Sequence, residues 1–163
     1  MSTGAVAILD EARAQLAGCR EEALGELVEP RRILGVARAP RIQPRGSAWH
    51  LGVLLLTDDA VLSVGEVVRA REEAIRGYTA ETQRRRSELA AAARRGGFAD
   101  GTAVHIGWQV LDADAVDRGA ASGPLLVVDG TPSVRWSASG GAVPLEGYLA
   151  ERIELLRHPP AGA

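Results

Sequence analysis

Gly46-Ser-Ala-Trp-His-Leu-Gly-Val-Leu-Leu-Leu-Thr-Asp-Asp-Ala-Val61 recurs further along the chain as Gly101-Thr-Ala-Val-His-Ile-Gly-Trp-Gln-Val-Leu-Asp-Ala-Asp-Ala-Val116. Aligned without gaps, the two stretches are identical at 8 of 16 positions, and they include two of the three histidines. Two copies are too few for a solenoid, so the match predicts a single domain in which one β unit is used twice about a pseudo-twofold axis. The alternative is chance similarity between two alanine- and glycine-rich strands.

Apolar periodicity around this repeat predicts three helices, over 5–28, 80–95 and 144–157. Thr3 and Thr79 are expected to cap the first two. Alternating apolar residues predict about five strands: a hairpin of 48–56 and 60–68, a strand over 103–111, and a hairpin of 125–128 and 133–137 about an Asp129-Gly130 turn.

The expected fold class is α+β, with a mainly antiparallel sheet and three flanking helices. One globular domain is expected over 1–157, followed by a disordered tail over 158–163. The tryptophans at 49, 108 and 136 each fall on a predicted strand, and we expect them to anchor the core.

The composition limits the chemistry. All 19 basic residues are arginine, so a Schiff base, a P-loop lysine and a Ser-x-x-Lys nucleophile pair are excluded. The one cysteine, Cys19, falls on the apolar stripe of the predicted first helix, which favours a buried side chain over a nucleophile. A single cysteine, an N-terminus unlike a signal peptide and the lack of a long apolar run predict a cytoplasmic protein without membrane contact.

Charge is unevenly distributed: the net charge is −4 over 1–30, +6 over 31–95 and −4 over 96–163. A basic middle between acidic ends is typical of internal pairing or of complementarity within a homodimer. The slightly negative total and the lack of aromatics in the basic stretch disfavour nucleic acid.

The repeat also supplies the candidate catalytic residues. His50 and His105 occupy equivalent positions, and Glu66 lies on a predicted strand. Two histidines and a carboxylate suit proton transfer or a metal. The alternative is that each histidine is a hydrogen-bonded sheet residue. Because no His-x-His or His-Glu-x-x-His spacing occurs, we expect neither a structural metal nor a cofactor.

The candidate ligand-binding residues are mostly arginines. Arg38, Arg41 and Arg45 follow one another in a proline-punctuated extended segment that can present several guanidinium groups to an anion. Gln109, on the face of His105, and Arg135, opposite Trp136, are further candidates. Three consecutive arginines at 84–86 cannot all face one ligand on a helix, so they are expected to be solvated.

Nearly the whole chain resembles an uncharacterised family of small proteins common in high-GC actinobacteria, some of them labelled glutaminase. The blocks that carry the resemblance are Leu27–Gly35, Gly46–Leu62, Gly65–Glu73, Gly77–Gly101, Val134–Ser137 and Pro144 to the end. The resemblance implies a single actinobacterial domain. It adds little to amidase chemistry, because serine-dependent glutaminases use Ser-x-x-Lys and Cys19 has no nucleophile elbow.

These patterns favour a non-catalytic binding module for a small anionic ligand or a partner protein. A glutaminase-type amidohydrolase built on the two histidines and Glu66, and an assembly subunit that dimerises through its sheet, are the alternatives. A cleft holding both histidines would favour the enzyme. A shallow arginine-lined groove would favour binding, and a large exposed apolar face would favour assembly.

Overall fold

The computed structural model describes residues 3–29, 34–35, 39–71 and 80–162. These residues form an α+β fold, as the sequence predicts. The helices are α1 (Ala5–Leu16), α2 (Glu81–Arg95), α3 (Ala113–Asp117) and α4 (Leu145–Arg157). The strands are β1 (Glu22–Val28), β2 (Arg41–Leu51), β3 (Leu54–Leu56), β4 (Val61–Ser63), β5 (Glu66–Arg69), β6 (Ala103–Ile106), β7 (Gln109–Val110), β8 (Leu125–Val128), β9 (Thr131–Arg135) and β10 (Ala142–Pro144).

The strands form two sheets. One has seven strands in the order β5-β6-β1-β2-β3-β4-β7, and the other has three in the order β10-β9-β8. β1 and β6 run parallel, whereas β5–β6, β2–β3, β3–β4, β4–β7 and both pairs of the small sheet are antiparallel. The mainly antiparallel character is confirmed. The expected number of about five strands is too low, and α3 adds a short fourth helix.

Contacts between residues divide the chain into two compact units. The first comprises 1–21, 48–64 and 109–163, and the second comprises 22–47 and 65–108. No helix in the described part of the chain combines the length and the apolar character needed to cross a membrane.

The first unit has an apolar core between its helices and strands, with Leu9, Leu16, Leu54 and Leu125 among its fully buried side chains. The N-terminus of its first helix, α1, is capped by a residue far away in the sequence. The Asp117 carboxylate accepts hydrogen bonds from the backbone N–H groups of Ala5 and Val6, two of the donors that a helix start leaves unpaired. The predicted cap Thr3 does not fill this role, since the N-cap residue is Gly4 and has no side-chain cap of its own.

A tyrosine of α4 holds the turn between β2 and β3. The Tyr148 hydroxyl accepts from the Val53 N–H at 2.9 Å and donates to the Leu51 carbonyl at 3.1 Å. Gly52, between them, has a φ of +67°, and a Cβ there would collide with the same hydroxyl. Glycine is therefore required both by backbone conformation and by close approach.

The second unit is built around β6, which lies between antiparallel β5 and parallel β1. The alanine-rich second half of α2 packs against this part of the sheet. Buried residues of the helix (Leu89, Ala90, Ala92 and Ala93) contact buried strand residues (Ile42, Val68, Val104 and Ile106). Small side chains allow the helix to approach the sheet closely, and at Gly96 a Cβ would overlap the Ile42 carbonyl.

The largest error of the sequence analysis concerns 5–28. The helix ends at Leu16, and 22–28 is strand β1. Gly18 adopts a φ of +85°, which ends the helical path, and Cys19 is half-buried after the helix rather than on its apolar stripe. Gly25 brings β1 close to Ile42 and Val104, whose side chains would clash with a Cβ. The helix prediction rested on apolar residues spaced three and four apart, and this spacing carries no information about tertiary packing.

Other predicted elements need smaller corrections. The hairpin expected over 48–68 and the strand over 103–111 are both interrupted by tight turns, so that 48–68 contributes to four strands and 103–111 to two. Trp49 is buried as expected, but Trp136 is 51% exposed and does not anchor the core. The second hairpin is confirmed about Asp129 and Gly130, both with positive φ. Thr79 lies outside the described residues.

We expect Gly96→Ala to destabilise the protein by about 2–3 kcal/mol, because the new Cβ must displace the Ile42 backbone. Gly147→Ala is the matched control. Gly147 lies inside α4 with open space around it, so alanine should stabilise the helix by about 0.5–1 kcal/mol. Urea unfolding of both variants measures the difference. Equal stabilities for the two variants would contradict the close approach of α2 to Ile42.

Candidate functional site

His105 lies in the middle of β6, pairs with Leu24 on β1 and Val67 on β5, and is fully buried. Its Nε2 is 3.2 Å from Oε1 of Glu22, the first residue of β1. Glu22 keeps a side chain that is 30% exposed, so the pair joins a buried ring to a partly solvated carboxylate. Zinc also binds imidazole and carboxylate groups. The expectation that the protein holds no metal therefore stays a prediction.

The carboxylate that sequence reasoning assigned to the histidines, Glu66, lies elsewhere in the second unit. It pairs with Ile106 across β5 and β6, whereas His105 pairs with Val67. Because side chains alternate between faces, Glu66 and His105 are on opposite faces of this pair of strands. The Glu66 carboxylate accepts from Nη1 of Arg85 on α2 at 2.7 and 2.9 Å, and this hydrogen bond and charge raise the pKa of Arg85.

His50 belongs to the first unit, near the end of β2. It pairs with Leu55 across β2 and β3, and its Nε2 lies 3.0 Å from the Gly52 carbonyl. The ring is half-buried. This hydrogen bond joins the ring to the turn that follows β2.

The two copies of the repeat share their local conformation through most of their length. All four glycines, at 46, 52, 101 and 107, have positive φ between +67° and +95°. In each copy a strand runs through the histidine, turns at the second glycine and resumes as a short strand. The copies diverge at the aspartate: Asp59 lies in a turn before β4, whereas Asp114 lies in α3. The expectation of one shared structure therefore fails for the last part of the repeat.

The predicted anion site comprises Arg38, Arg41 and Arg45, and the structure describes the last two. Arg38 lies outside the described residues. Arg41 is exposed at the start of β2, and Arg45 donates from Nε to Glu26 Oε2 at 2.6 Å. The Cα atoms of Arg41 and Arg45 are about 13 Å apart along the strand, the spacing of residues four apart on one face.

Gln109 and Arg135, the remaining candidates, lie in the first unit on different sheets. Gln109 is exposed on β7, where it pairs with Ser63, and Arg135 is exposed at the end of β9, where it pairs with Ala142.

A groove of about 620 Å³ lies instead between β5 and α2, within the second unit. Its floor is apolar and its rim carries three exposed arginines and two uncharged polar residues. The lining residues are Glu66, Val67, Val68, Arg69, Arg71, Gln83, Arg86, Ser87, Leu89 and Ala90. Among these residues the one carboxylate is that of Glu66, which already binds Arg85. The described lining is therefore cationic.

Sequence reasoning missed this groove because it left 69–79 unassigned and treated the arginines at 84–86 as solvated. One signal was present. Arg69 and Arg71 are two residues apart, and in a strand this spacing places both side chains on one face. That Arg86 joins them depends on the docking of α2 against β5, which no local pattern encodes.

We expect His105→Ala to cost about 2–4 kcal/mol of unfolding free energy, since it opens a cavity under a fully buried ring and removes the partner of Glu22. His50→Ala, at the equivalent position of the other copy, removes a half-buried ring and should cost about 1 kcal/mol. Thermal and urea denaturation measure both. A larger loss for His50→Ala would contradict the difference in burial.

Comparison with known proteins gave no match to a protein-family model. A search of curated proteins found no match, and neither did a search of solved structures.

Proposed function

We propose that this protein is a non-catalytic binding module that holds an anionic group, a carboxylate or a phosphate, in the groove between β5 and α2. The observation that carries the proposal is the convergence of Arg69, Arg71 and Arg86 on one 620 Å³ groove whose single described carboxylate is already paired. An arginine-lined groove is the feature that separates a binding module from the alternatives.

The arrangement suits anion recognition. Arg69 and Arg71 project from one face of an extended segment, about 7 Å apart along the chain, and Arg86 approaches from α2 on the other side of the groove. Guanidinium groups present parallel N–H donors that match the two oxygens of a carboxylate or phosphate. Gln83 and Ser87 add neutral hydrogen-bonding groups beside them, and Arg85 keeps Glu66 from repelling an anion.

The same lining argues against catalysis in the groove. Ser87 is the one hydroxyl among the described lining residues, and none of those residues is a histidine or a cysteine. A serine nucleophile needs an adjacent base, and the protonated arginines here are not bases. Glu66, the acid of the amidohydrolase alternative, lies on the face opposite His105 and is held by Arg85. We therefore favour binding over hydrolysis.

Further properties of the protein belong to the same proposal. With a single cysteine and no internal disulfide, it suits the cytoplasm. Its partner is a small anionic ligand or an acidic protein segment rather than nucleic acid. A homodimer is the assembly alternative, and sedimentation distinguishes it from a monomer.

Calorimetric titration with inorganic phosphate and with citrate tests anion binding. We expect Arg69→Ala and Arg86→Ala each to weaken binding roughly tenfold, because each removes charge-assisted hydrogen bonds. Raising the salt from 20 to 300 mM should weaken the wild type as well, since exposed charges are then screened over a few ångströms.

Arg41→Ala is the matched control, because it removes an equal charge from an exposed strand residue of the same unit outside the groove. It should leave the affinity nearly unchanged. The variant Glu72→Gln/Glu73→Gln removes the two carboxylates that follow Arg71 in the sequence and should bind at least as tightly as the wild type. If Arg41→Ala weakens binding while Arg86→Ala does not, the anion binds at the arginine segment of β2 and the groove proposal is wrong.

We expect the purified protein to release no ammonia from glutamine above the rate in buffer. The sequence lacks both the Ser-x-x-Lys pair and a cysteine elbow, and Glu66 does not face His105. A coupled glutamate dehydrogenase assay measures this. Activity that disappears in His105→Ala, but persists in Arg86→Ala, would overturn the binding-module assignment.

A further inference from the structure

β5 is one of the two edge strands of the seven-stranded sheet in the described residues. In its antiparallel ladder with β6, successive residues point their backbone groups alternately toward and away from the partner. The Ala70 N–H donates to Thr102 on the β6 side at 2.9 Å. The backbone N–H and C=O groups of Glu66, Val68 and Ala70 therefore point toward β6. Those of Val67 and Arg69 point outward.

Arg71 is the next residue whose backbone groups point outward. The Arg71 N–H donates to the Ala90 carbonyl of α2 at 3.2 Å, so the helix closes one end of the edge. Before that point the edge opens on the groove, and Val67 is 53% exposed. No strand of the described chain covers the outward groups of Val67 and Arg69. A groove beside an open strand edge can accept an extended chain through main-chain hydrogen bonds.

The side chains around this edge define what such a chain would carry. On one face an added strand would pass Val67, Arg69 and Arg71, and on the other it would meet buried Leu89 and Ala90 with Arg86 at the rim. Opposite charges attract when they are directly across a pair of strands, and β-branched residues pack well there. Arg69 uses one N–H on the Gly101 carbonyl and keeps other donors for a ligand.

We propose that the ligand of this groove is an acidic peptide segment, bound as an added strand along the outer edge of β5, with carboxylates at alternate positions facing Arg69 and Arg71. This inference rests on the proposed anion-binding function and names its ligand class. The backbone groups of Val67 and Arg69 hold the segment, and Arg69 and Arg71, on the face that its carboxylates share, select its charge.

The probe is fluorescein-labelled acetyl-Glu-Val-Glu-Val-Glu-Val-amide, followed by fluorescence anisotropy. Two N-methylated versions, one at the three glutamates and one at the three valines, each remove the backbone donors of one side of the strand. We expect one version to bind at least tenfold more weakly and the other to bind within threefold of the parent. A version with glutamine in place of glutamate should also bind at least tenfold more weakly.

Val67→Pro tests the edge from the protein side. Proline at 67 removes an outward N–H and leaves the hydrogen bonds to β6 intact, a position that strands tolerate. We expect at least a tenfold loss of peptide affinity, because the outward N–H of residue 67 is a donor that the added strand needs. Circular dichroism and the melting temperature check that the variant folds, and the N-methylated peptides decide the question if it does not.

The outcomes separate the two proposals. One outcome is that phosphate binding depends on Arg69 and Arg86, while N-methylation lowers the peptide's affinity equally in both versions or in neither. This outcome overturns the strand-addition inference and leaves the anion site. Failure of phosphate, citrate and peptide alike overturns both. A dimer in sedimentation that Val67→Pro dissociates assigns the edge to a second copy of this chain and also overturns the inference.

Discussion

The close approach of α2 to the sheet of the second unit determines where the groove lies. At Gly96 the backbone of the helix end lies against the Ile42 carbonyl with no room for a side chain. Ala90, Ala92 and Ala93 extend this contact along the second half of the helix. A helix fixed at one end by small residues has a defined direction, so its arginine-bearing first half runs beside β5 rather than over the middle of the sheet.

This division of α2 into an anchoring half and a polar half has an electrostatic consequence. One arginine of its polar half, Arg85, binds Glu66 on β5. Both side chains are well exposed, so the ion pair contributes modestly to stability and more to placement. It neutralises the carboxylate that lines the groove and leaves Arg86 to face the opening. Consecutive arginines on one helix therefore need not share a role: Arg85 pairs with Glu66, and Arg86 lines the groove.

The elements that the sequence predicted well are those with local signals. The bounds of α2 were predicted to within one residue, because the alanine run and the glycines at 96 and 97 mark its C-terminal end. The Asp129-Gly130 turn was predicted because few residues tolerate positive φ. β1 was missed for the opposite reason. It is a parallel strand whose partner, β6, lies about 80 residues away in the sequence, and its glycine at 25 is explained by contacts with Ile42 and Val104.

The candidate site likewise has features that the local sequence predicts and features that it does not. The repeat indicated two histidines in equivalent local settings, and the glycines two residues after them do share a positive φ. It carried no information about Glu22, the partner of His105, because that residue lies on another strand. His105 lies between β5 and β1 and meets Glu22, whereas His50 pairs with β3 and hydrogen-bonds to the turn that follows it. A duplicated segment can therefore preserve a backbone path while its two histidines differ in burial and in the strands beside them.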